Sequence, residues 1–471
     1  MEARHLLVLC GGGNNGGDGL VLARLAASAG LRPRVLLLAE ADTLSGDAAR
    51  AYADLGDTTV RVERWAGDSS TLALASVDVV VDGMFGTGLS RPISGELASL
   101  IGAVNASRRP VLALDGPSGV CSDSGAVLGV AIRAALTVTF VERKIGHYLG
   151  LAPDYVGALR VERLGIDAVL PAPAPAPVAR LLPPALLDEF AATPRRVVAH
   201  KGSHGHVLVI GGAPGMAGAA RLAGEAALYA GAGLVSVATA PTHASALNLG
   251  RPELMCHGVD GVSELAPLLA RATVVVAGPG LGRDAWGRAL LESAIASDLP
   301  LLLDADALNM LGEDQGQLRQ RLCERAEQRP LVLTPHPAEA GRLLGDRDAA
   351  GVQADRLGTH AALVERFAGV VVLKGAGSLV GAPDWLPHLC DRGNPGMAVA
   401  GMGDVLSGVI GALMAQGQGA GVMVSASLGV LAHAMAGDVA VARMGGQRGL
   451  LAGDLAPLVR ECLNGGGRGL G

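Results

Sequence analysis

The sequence predicts an α/β protein made of two three-layer αβα domains, and three observations support this fold class. Short runs rich in valine and leucine recur without polar alternation, which is typical of parallel strands buried on both faces. Segments with helical spacing lie between these runs. An alternating proline–alanine segment at 171–178 predicts a semi-rigid linker, because it favours extended polyproline II, between domains at 1–170 and 179–471.

Each predicted element follows from its local pattern. In the first domain, a strand over 5–10 precedes a helical pattern over 19–29, and four more apolar runs predict strands at 35–38, 77–81, 111–114 and 136–140. In the second domain a helix is predicted over 216–230, with strands at 207–210, 234–238, 274–277, 301–303, 331–333 and 370–373. Ligands of such sheets bind at the carboxyl ends of the strands, which directs attention to the loops after each run.

Composition excludes several classes of function. The net charge is −6, no long basic run occurs and only 2% of the residues are aromatic, so we expect no nucleic-acid partner. The six scattered cysteines form no Cys-x-x-Cys pair, which argues against a zinc site or a disulfide framework. No secretory signal is visible, and the apolar stretch 405–441 is interrupted by glycines and polar residues, which favours buried helices over a membrane span. We therefore expect a soluble cytoplasmic protein with no membrane or nucleic-acid partner.

Three motifs of the first domain follow predicted strands. The string 11–19, Gly-Gly-Gly-Asn-Asn-Gly-Gly-Asp-Gly, combines glycines that allow close backbone approach with a helix start that attracts anions, and its polar residues exceed what a tight turn alone needs. The segments 82–92 and 115–119 each begin with an aspartate. One such aspartate is often only a turn former, but several on neighbouring strands predict a shared pocket.

These motifs, with 144–146 (Lys-Ile-Gly) and 165–167 (Gly-Ile-Asp), resemble the epimerase domain of the NAD(P)H-hydrate repair family over about residues 5–167, a Rossmann-like domain. The resemblance implies that the hydrated cofactor contacts Asn14, Asn15, Gly16, Gly17, Asp18, Gly86, Thr87, Gly88, Leu89, Ser90, Arg91, Pro92 and Asp115. It also implies that potassium is held by Asn15, Asp82 and Ser118, whose oxygen donors suit an alkali cation.

Asp115 is the candidate catalytic acid–base group of the first domain, since a carboxylate tuned by burial can move protons at the carbinol carbon. The family usually has a helical leader that helps to close the pocket, and this sequence starts almost at the first strand. We therefore expect slower epimerisation than the pocket motifs alone suggest.

The motifs of the second domain lie at predicted strand ends or helix starts. They are His-Lys-Gly at 200–202, Gly-Pro-Gly-Leu-Gly at 278–282, Asp-Ala-Asp-Ala-Leu-Asn at 304–309, Thr-Pro-His-Pro at 334–337, Lys-Gly-Ala-Gly-Ser at 374–378, Gly-Asn-Pro-Gly-Met at 393–397 and Gly-Met-Gly-Asp at 401–404. In the last motif, amide groups of a helix start and a carboxylate lie beside one phosphate site. Asp404 could deprotonate an attacking hydroxyl, although an N-capping aspartate is the alternative.

In this order, the motifs resemble the ribokinase-like superfamily and, within it, the ADP-dependent NAD(P)H-hydrate dehydratases over about residues 180–463. The resemblance implies that the hydrate contacts Ala219 or Ala220, Gly280, His336 and Asp404, with Asp404 as the catalytic base. It implies that the adenine nucleotide is held by Lys374, Gly375, Ala376, Gly377, Ser378 and Gly403. His336 could instead be purely structural. ADP as co-substrate, Mg²⁺ and a homo-oligomer are further expectations.

The sequence is compatible with two other functions. A vitamin-precursor kinase of the same superfamily would share the Gly-Met-Gly-Asp element, although such a kinase has no need of the first domain. Alternatively, the first domain could bind its ligand without catalysis.

Overall fold

A computed structural model describes residues 4–56, 58–166, 176–314, 316–417 and 421–466. The chain divides into two compact units: the first comprises Met1–Ala176 with Gln353–Asp355, and the second comprises Pro177–Val352 and Arg356–Gly471. Most of the predicted linker, and Asp167 of the Gly-Ile-Asp motif, lie outside the described residues.

The first unit is built on a seven-stranded sheet in the order β3-β2-β1-β4-β5-β6-β7, and every adjacent pair is parallel. Its strands are β1 (His5–Cys10), β2 (Arg32–Leu37), β3 (Arg61–Arg64), β4 (Val79–Gly83), β5 (Val111–Leu114), β6 (Leu136–Phe140) and β7 (Ala158–Glu162). The helices are α1 (Asn14–Ser28), α2 (Gly46–Ala53), α3 (Gly95–Ala106) and α4 (Pro153–Val156).

Strand β1 shows why the strands lack polar alternation. Leu6 and Val8 pack into a core cluster that also contains Leu20 of α1, whereas Leu7 packs on the other face into a cluster with Leu100 of α3. Both faces of the strand are therefore covered by helices, as the sequence predicts.

The second unit contains a ten-stranded sheet in the order β11-β10-β9-β12-β13-β14-β15-β16-β17-β8. Its strands are β8 (Arg180–Leu181), β9 (His206–Ile210), β10 (Leu234–Thr239), β11 (Met255–Gly258), β12 (Val274–Ala277), β13 (Leu301–Leu303), β14 (Leu331–Leu333), β15 (Val370–Leu373), β16 (Ser378–Gly381) and β17 (His388–Cys390). Pairing is parallel from β11 to β15, antiparallel around β16, and parallel again between β17 and β8.

The helices of the second unit cover the sheet. They are α5 (Ala185–Ala192), α6 (Ala217–Tyr229), α7 (Pro241–Ala244), α8 (Val262–Leu269), α9 (Ala285–Ala296), α10 (Ala305–Glu313), α11 (Gln317–Ala326), α12 (Pro337–Leu344), α13 (Ala349–Ala354), α14 (Arg356–Phe367), α15 (Met402–Gln416), α16 (Gly421–Met444) and α17 (Leu455–Leu463). The apolar stretch 405–441 lies in α15 and α16, and both helices contribute to the core. Helix α16 is long and apolar enough to cross a membrane, but 72% of its most apolar window is buried inside the protein.

Every predicted strand is confirmed, but one helix start is wrong. Helix α1 begins at Asn14 rather than near residue 19, and its first turn includes Gly16 and Gly17. Glycine has a low helix propensity, so the local pattern did not predict this turn as helical. The short outer strands β3 and β7 of the first sheet were missed, since they carry polar side chains in place of an apolar run. Strands β8, β11, β16 and β17 of the second sheet were not predicted either.

Candidate active sites

The first candidate site lies where the strand order of the first sheet reverses, between β1 and β4. Residues Asn14–Asp18 of the predicted cofactor-binding string form the first turn of α1, directly after β1. The N-cap residue is Gly13, which has no side chain to bond the first amide groups of the helix. These amides are therefore available to an anion such as a cofactor phosphate.

Two of the three residues predicted to bind potassium are hydrogen-bonded to each other. Asp82, fully buried in β4, accepts hydrogen bonds from the hydroxyl (2.6 Å) and the backbone amide (2.7 Å) of Ser118. Burial raises the pKa of the Asp82 carboxyl to about 6, and the Ser118 hydrogen bonds oppose this rise.

Asn15, the third of these residues, is 8% exposed, and neither atom of its side-chain amide has a hydrogen-bond partner among the residues that the structure describes. An unpaired buried amide is costly unless a ligand satisfies it. Amide, carboxylate and hydroxyl oxygens, which Asn15, Asp82 and Ser118 offer, are donors that suit a monovalent cation.

Asp115 follows β5 immediately and adopts a left-handed backbone conformation, with φ at 63°. Its Oδ1 atom accepts hydrogen bonds from the hydroxyl of Thr139 (3.1 Å) and the amide of Phe140 (3.2 Å), and from the ammonium of Lys144. The other carboxylate oxygen, Oδ2, lies 3.6 Å from the position that a Cβ atom on Gly86 would occupy. Oδ1 is thus anchored, and Oδ2 faces the predicted cofactor-binding loop.

The loop 86–92 joins β4 to the start of α3. Gly86 also lies against Asn15, since a Cβ atom on Gly86 would be 3.3 Å from that of Asn15. The structure therefore brings Asn15, Gly86 and Asp115 together. Leu89, by contrast, packs partly against the core, so it has a structural role as well.

His147 is a residue of this site that sequence reasoning missed. It is 3% exposed, and its ring lies near Lys144 and Asp115. Burial and the nearby Lys144 charge lower its pKa to about 4, so the ring is neutral near pH 7. The nearby Lys144 belongs to the Lys-Ile-Gly motif at 144–146, for which no role was predicted.

The second candidate site lies at the carboxyl edge of the second sheet. Helix α15 starts after Gly401, whose φ of 88° makes it a left-handed N-cap, and Asp404 lies in the first helical turn. Asp404 is therefore not the N-cap, which removes the structural alternative. Burial and the charge of Asp304 raise the pKa of Asp404 to about 7.

Lys374 lies directly below the start of α15. Its Nζ atom is 2.6 Å from Oδ1 of Asp304, and a Cβ atom on Gly403 would be 3.1 Å from that same Nζ. The second carboxylate oxygen of Asp304 accepts a 2.6 Å hydrogen bond from the hydroxyl of Ser407, one turn along α15.

His336 caps helix α12. Its Nδ1 atom accepts hydrogen bonds from the backbone amides of Ala338 (3.1 Å) and Glu339 (3.3 Å). In return, a carboxylate oxygen of Glu339 accepts a hydrogen bond from the backbone amide of His336. The ring is thus at least structural, and substrate contact by its exposed part stays a prediction. Burial raises the pKa of Glu339 to about 7, and Lys374 opposes this rise.

The predicted nucleotide-binding residues 374–378 form the turn between β15 and β16, with Ser378 as the first residue of β16. Fully buried Arg356 supports this turn by donating hydrogen bonds to the carbonyls of Leu373 (3.1 Å), Lys374 (3.2 Å) and Gly377 (3.3 Å). Sequence reasoning missed Arg356, because a charged residue in a helix gives no local sign of burial.

The remaining predicted hydrate contacts meet at the start of α6. Ala219 is partly exposed, and a Cβ atom on Gly280 would lie 3.1 Å from its methyl group. Ala220 is fully buried, so Ala219 is the better candidate of the two.

Within the described ranges, no group of three His, Cys, Asp or Glu side chains could hold a metal ion. The phosphates of a bound nucleotide are common oxygen ligands of Mg²⁺.

Family models match both units. A model described as NAD(P)H-hydrate dehydratase matches residues 207–458, and one described as YjeF-related protein N-terminus matches residues 1–146. The bifunctional NAD(P)H-hydrate repair enzyme of Coxiella burnetii is 46% identical over 464 residues, which are 98% of this chain and 91% of the relative. The Escherichia coli enzyme of the same name is 42% identical over 470 residues, covering 98% and 86%.

Solved structures share the fold of the second unit. A ribokinase-like protein from Enterococcus faecalis superimposes with a TM-score of 0.54 at 26% identity, covering 62% of this chain and 97% of that one. An ADP/ATP-dependent NAD(P)H-hydrate dehydratase from Bacillus subtilis gives a TM-score of 0.52 at 23% identity, covering 61% and 98%, and it indicates the fold alone.

Proposed function

The chain belongs to the bifunctional NAD(P)H-hydrate repair enzymes, and from this premise we propose that each unit catalyses one step of repair. The first unit converts the R hydrate of NADH or NADPH to the S hydrate. The second unit converts the S hydrate to NADH or NADPH, with ADP as the phosphoryl donor and AMP and phosphate as the other products.

The arrangement at the start of α15 supports dehydration most directly. Asp404 and Lys374 converge on the amide groups of this helix start, so a base, a cation and an anion-binding site share one location. Asp404 takes the proton of the C6 hydroxyl while that oxygen attacks the terminal phosphorus of ADP, and AMP leaves. The ring nitrogen then expels phosphate and a proton leaves C5, which restores the dihydropyridine.

The nucleotide is held by residues 374–378 and Gly403, and the hydrate by Ala219, Gly280, His336 and Asp404. Mg²⁺ bound with the nucleotide would neutralise the transferring phosphate. Lys374 adds a positive charge at the same place.

In the first unit, Asp115 acts as the acid–base group at the carbinol carbon through its pocket-facing Oδ2 atom. The α1 amides hold the cofactor phosphates, and potassium binds at Asn15, Asp82 and Ser118. The unpaired amide of Asn15 is the observation that favours this cation site.

The deciding experiment supplies purified protein with S-hydrated NADH, ADP and Mg²⁺. We expect the near-ultraviolet absorbance of the dihydropyridine to return, faster with ADP than with ATP. Phosphorylation of a vitamin precursor without this recovery would favour the kinase alternative.

We further propose the boundaries 1–170 and 179–471, a cytoplasmic location and a homo-oligomeric assembly. A fragment that starts at Ala179 should dehydrate the S hydrate, whereas an inactive soluble fragment would contradict independent domains. Light scattering of the full chain tests the assembly.

A further inference from the structure

Asp304 has the sequence position of a helix cap but does not act as one. It follows β13 and is the N-cap residue of α10, yet its side chain makes no capping hydrogen bond. Its carboxylate instead accepts the 2.6 Å hydrogen bonds from the Lys374 ammonium and the Ser407 hydroxyl. An aspartate at an N-cap usually bonds the helix amides, so this carboxylate is committed to other partners.

The backbone fixes Asp304 from two sides. Ala305, the next residue, has a left-handed φ of 47°, which is unfavourable for alanine. A Cβ atom on Gly278 would lie 1.8 Å from the Asp304 carbonyl oxygen, so the loop after β12 packs directly on it. The carboxylate itself is 1% exposed, and a buried charge of this kind is stable only when it is paired.

We propose that Asp304 is a positioning residue of the dehydratase site: it holds the Lys374 ammonium beneath Gly403 and places a fixed negative charge beside Asp404. An ammonium group has three donors. Asp304 engages one of them, and the missing side chain at Gly403 leaves space for a phosphate to approach the others.

The charge of Asp304 also acts on Asp404. Asp304 and, more weakly, Asp306 disfavour ionisation of Asp404, whereas Lys374 favours it. The other titratable groups around Lys374 are Glu339, His336 and His433. Removing the Asp304 charge therefore makes Asp404 easier to ionise.

The inference rests on the proposed dehydratase function, and the test uses the full chain. The rate of S-hydrate dehydration is measured against pH and against ADP concentration for the wild type and for Asp304→Asn, which keeps the shape of the side chain and one of its two acceptor oxygens. We expect the acidic limb of kcat/KM to move to lower pH by on the order of one unit, and the KM for ADP to rise about tenfold. Nucleotide protonation affects both proteins equally and cancels in the comparison.

Two control variants separate charge from position. Asp306→Asn removes a carboxylate that accepts a hydrogen bond from the Gly282 amide and does not bind Lys374. This variant should therefore shift the acidic limb of the pH profile less than Asp304→Asn and leave the KM for ADP unchanged. Ser407→Ala loosens the anchor without changing charge, so it should raise the KM for ADP severalfold and leave the limb in place.

The inference would be overturned by an active Asp304→Asn protein in which neither the acidic limb of kcat/KM nor the KM for ADP differs from the wild type. If Asp304→Asn does not fold, an unchanged KM for ADP in Ser407→Ala would contradict it as well. An inactive but folded wild-type protein would contradict the proposed function instead, so the two failures are distinguishable.

Discussion

Each unit contains a candidate acid–base aspartate close to a lysine, but the lysine is held differently in the two units. In the first unit, Lys144 bonds the candidate itself, Asp115, and leaves one carboxylate oxygen facing the pocket. In the second unit, Lys374 is bound by a separate carboxylate, Asp304, and Asp404 has no such direct ion pair among the described contacts. The same residue types therefore give an anchored aspartate in one site and an aspartate with a pKa raised to about 7 in the other.

The difference suits the two proposed reactions. A base that removes a hydroxyl proton during phosphoryl transfer works best with a pKa near the working pH. Epimerisation depends more on holding one carboxylate oxygen in a fixed position, since misplacement of about 1 Å can cost on the order of 10²-fold in rate.

Replacement of Asp404 by asparagine should have the largest effect. We expect dehydration of the S hydrate to fall by about 10²–10⁴-fold, because a general base is lost, while ADP still binds. Steady-state rates and calorimetric titration with ADP measure the two quantities. Asp115→Asn is the matched control and should leave this rate unchanged; a turnover near the wild-type value in Asp404→Asn would remove its role.

Asp115→Ala should be the next most severe change. Consumption of the R hydrate, followed in the full chain with excess ADP, should fall by on the order of 10²-fold, towards the spontaneous rate. S-hydrate dehydration is measured in parallel and should not change. Rapid R-hydrate loss in this variant would show that another group epimerises the cofactor.

Lys144→Met tests the direct anchor of Asp115. Without the ammonium, Oδ1 keeps only its hydrogen bonds from Thr139 and Phe140, so we expect epimerisation to slow about tenfold. Lys144→Arg should recover part of the rate, because it restores a positive donor. Equal losses in both variants, or in neither, would contradict an electrostatic anchor.

The pH dependence of dehydration sharpens the comparison further. The base must be ionised, so with a pKa raised to about 7 the rate should fall about tenfold for each pH unit below 7. Initial rates with saturating ADP between pH 5.5 and 8.5, about the range in which the group titrates, measure this limb. A rate that stays flat down to pH 5.5 would contradict an Asp404 base of this kind.

The smallest effect should follow from the proposed potassium site. Replacing Asn15 by leucine removes the unpaired amide oxygen, so epimerisation should lose its potassium stimulation and fall severalfold. Sodium in place of potassium should mimic the variant in the wild-type protein. Stimulation that persists in Asn15→Leu would place the cation elsewhere.

The sequence by itself determined the fold class and the position of both candidate sites. Strands such as β5, β12 and β13 match their predicted limits, because strands buried on both faces need continuous apolar runs. Parallel strands also bring their carboxyl ends to one edge, which is why the motifs following them converge. The early start of α1 was not predictable, since its glycines are poor helix formers whose conformation the surrounding fold sets.

Only the tertiary structure decided which charges pair. Lys144 and Asp115 are 29 residues apart, and Lys374 and Asp304 are 70 residues apart. Local patterns describe helices and strands over a few residues. These pairs depend instead on the order of the strands in the sheet and on which charged side chains become buried and lose their contact with water. For the same reason Asp304 was predicted only as part of a motif, without a role of its own. Its contact with Lys374 arises because β13 and β15, the strands that precede the two residues, lie in the same sheet.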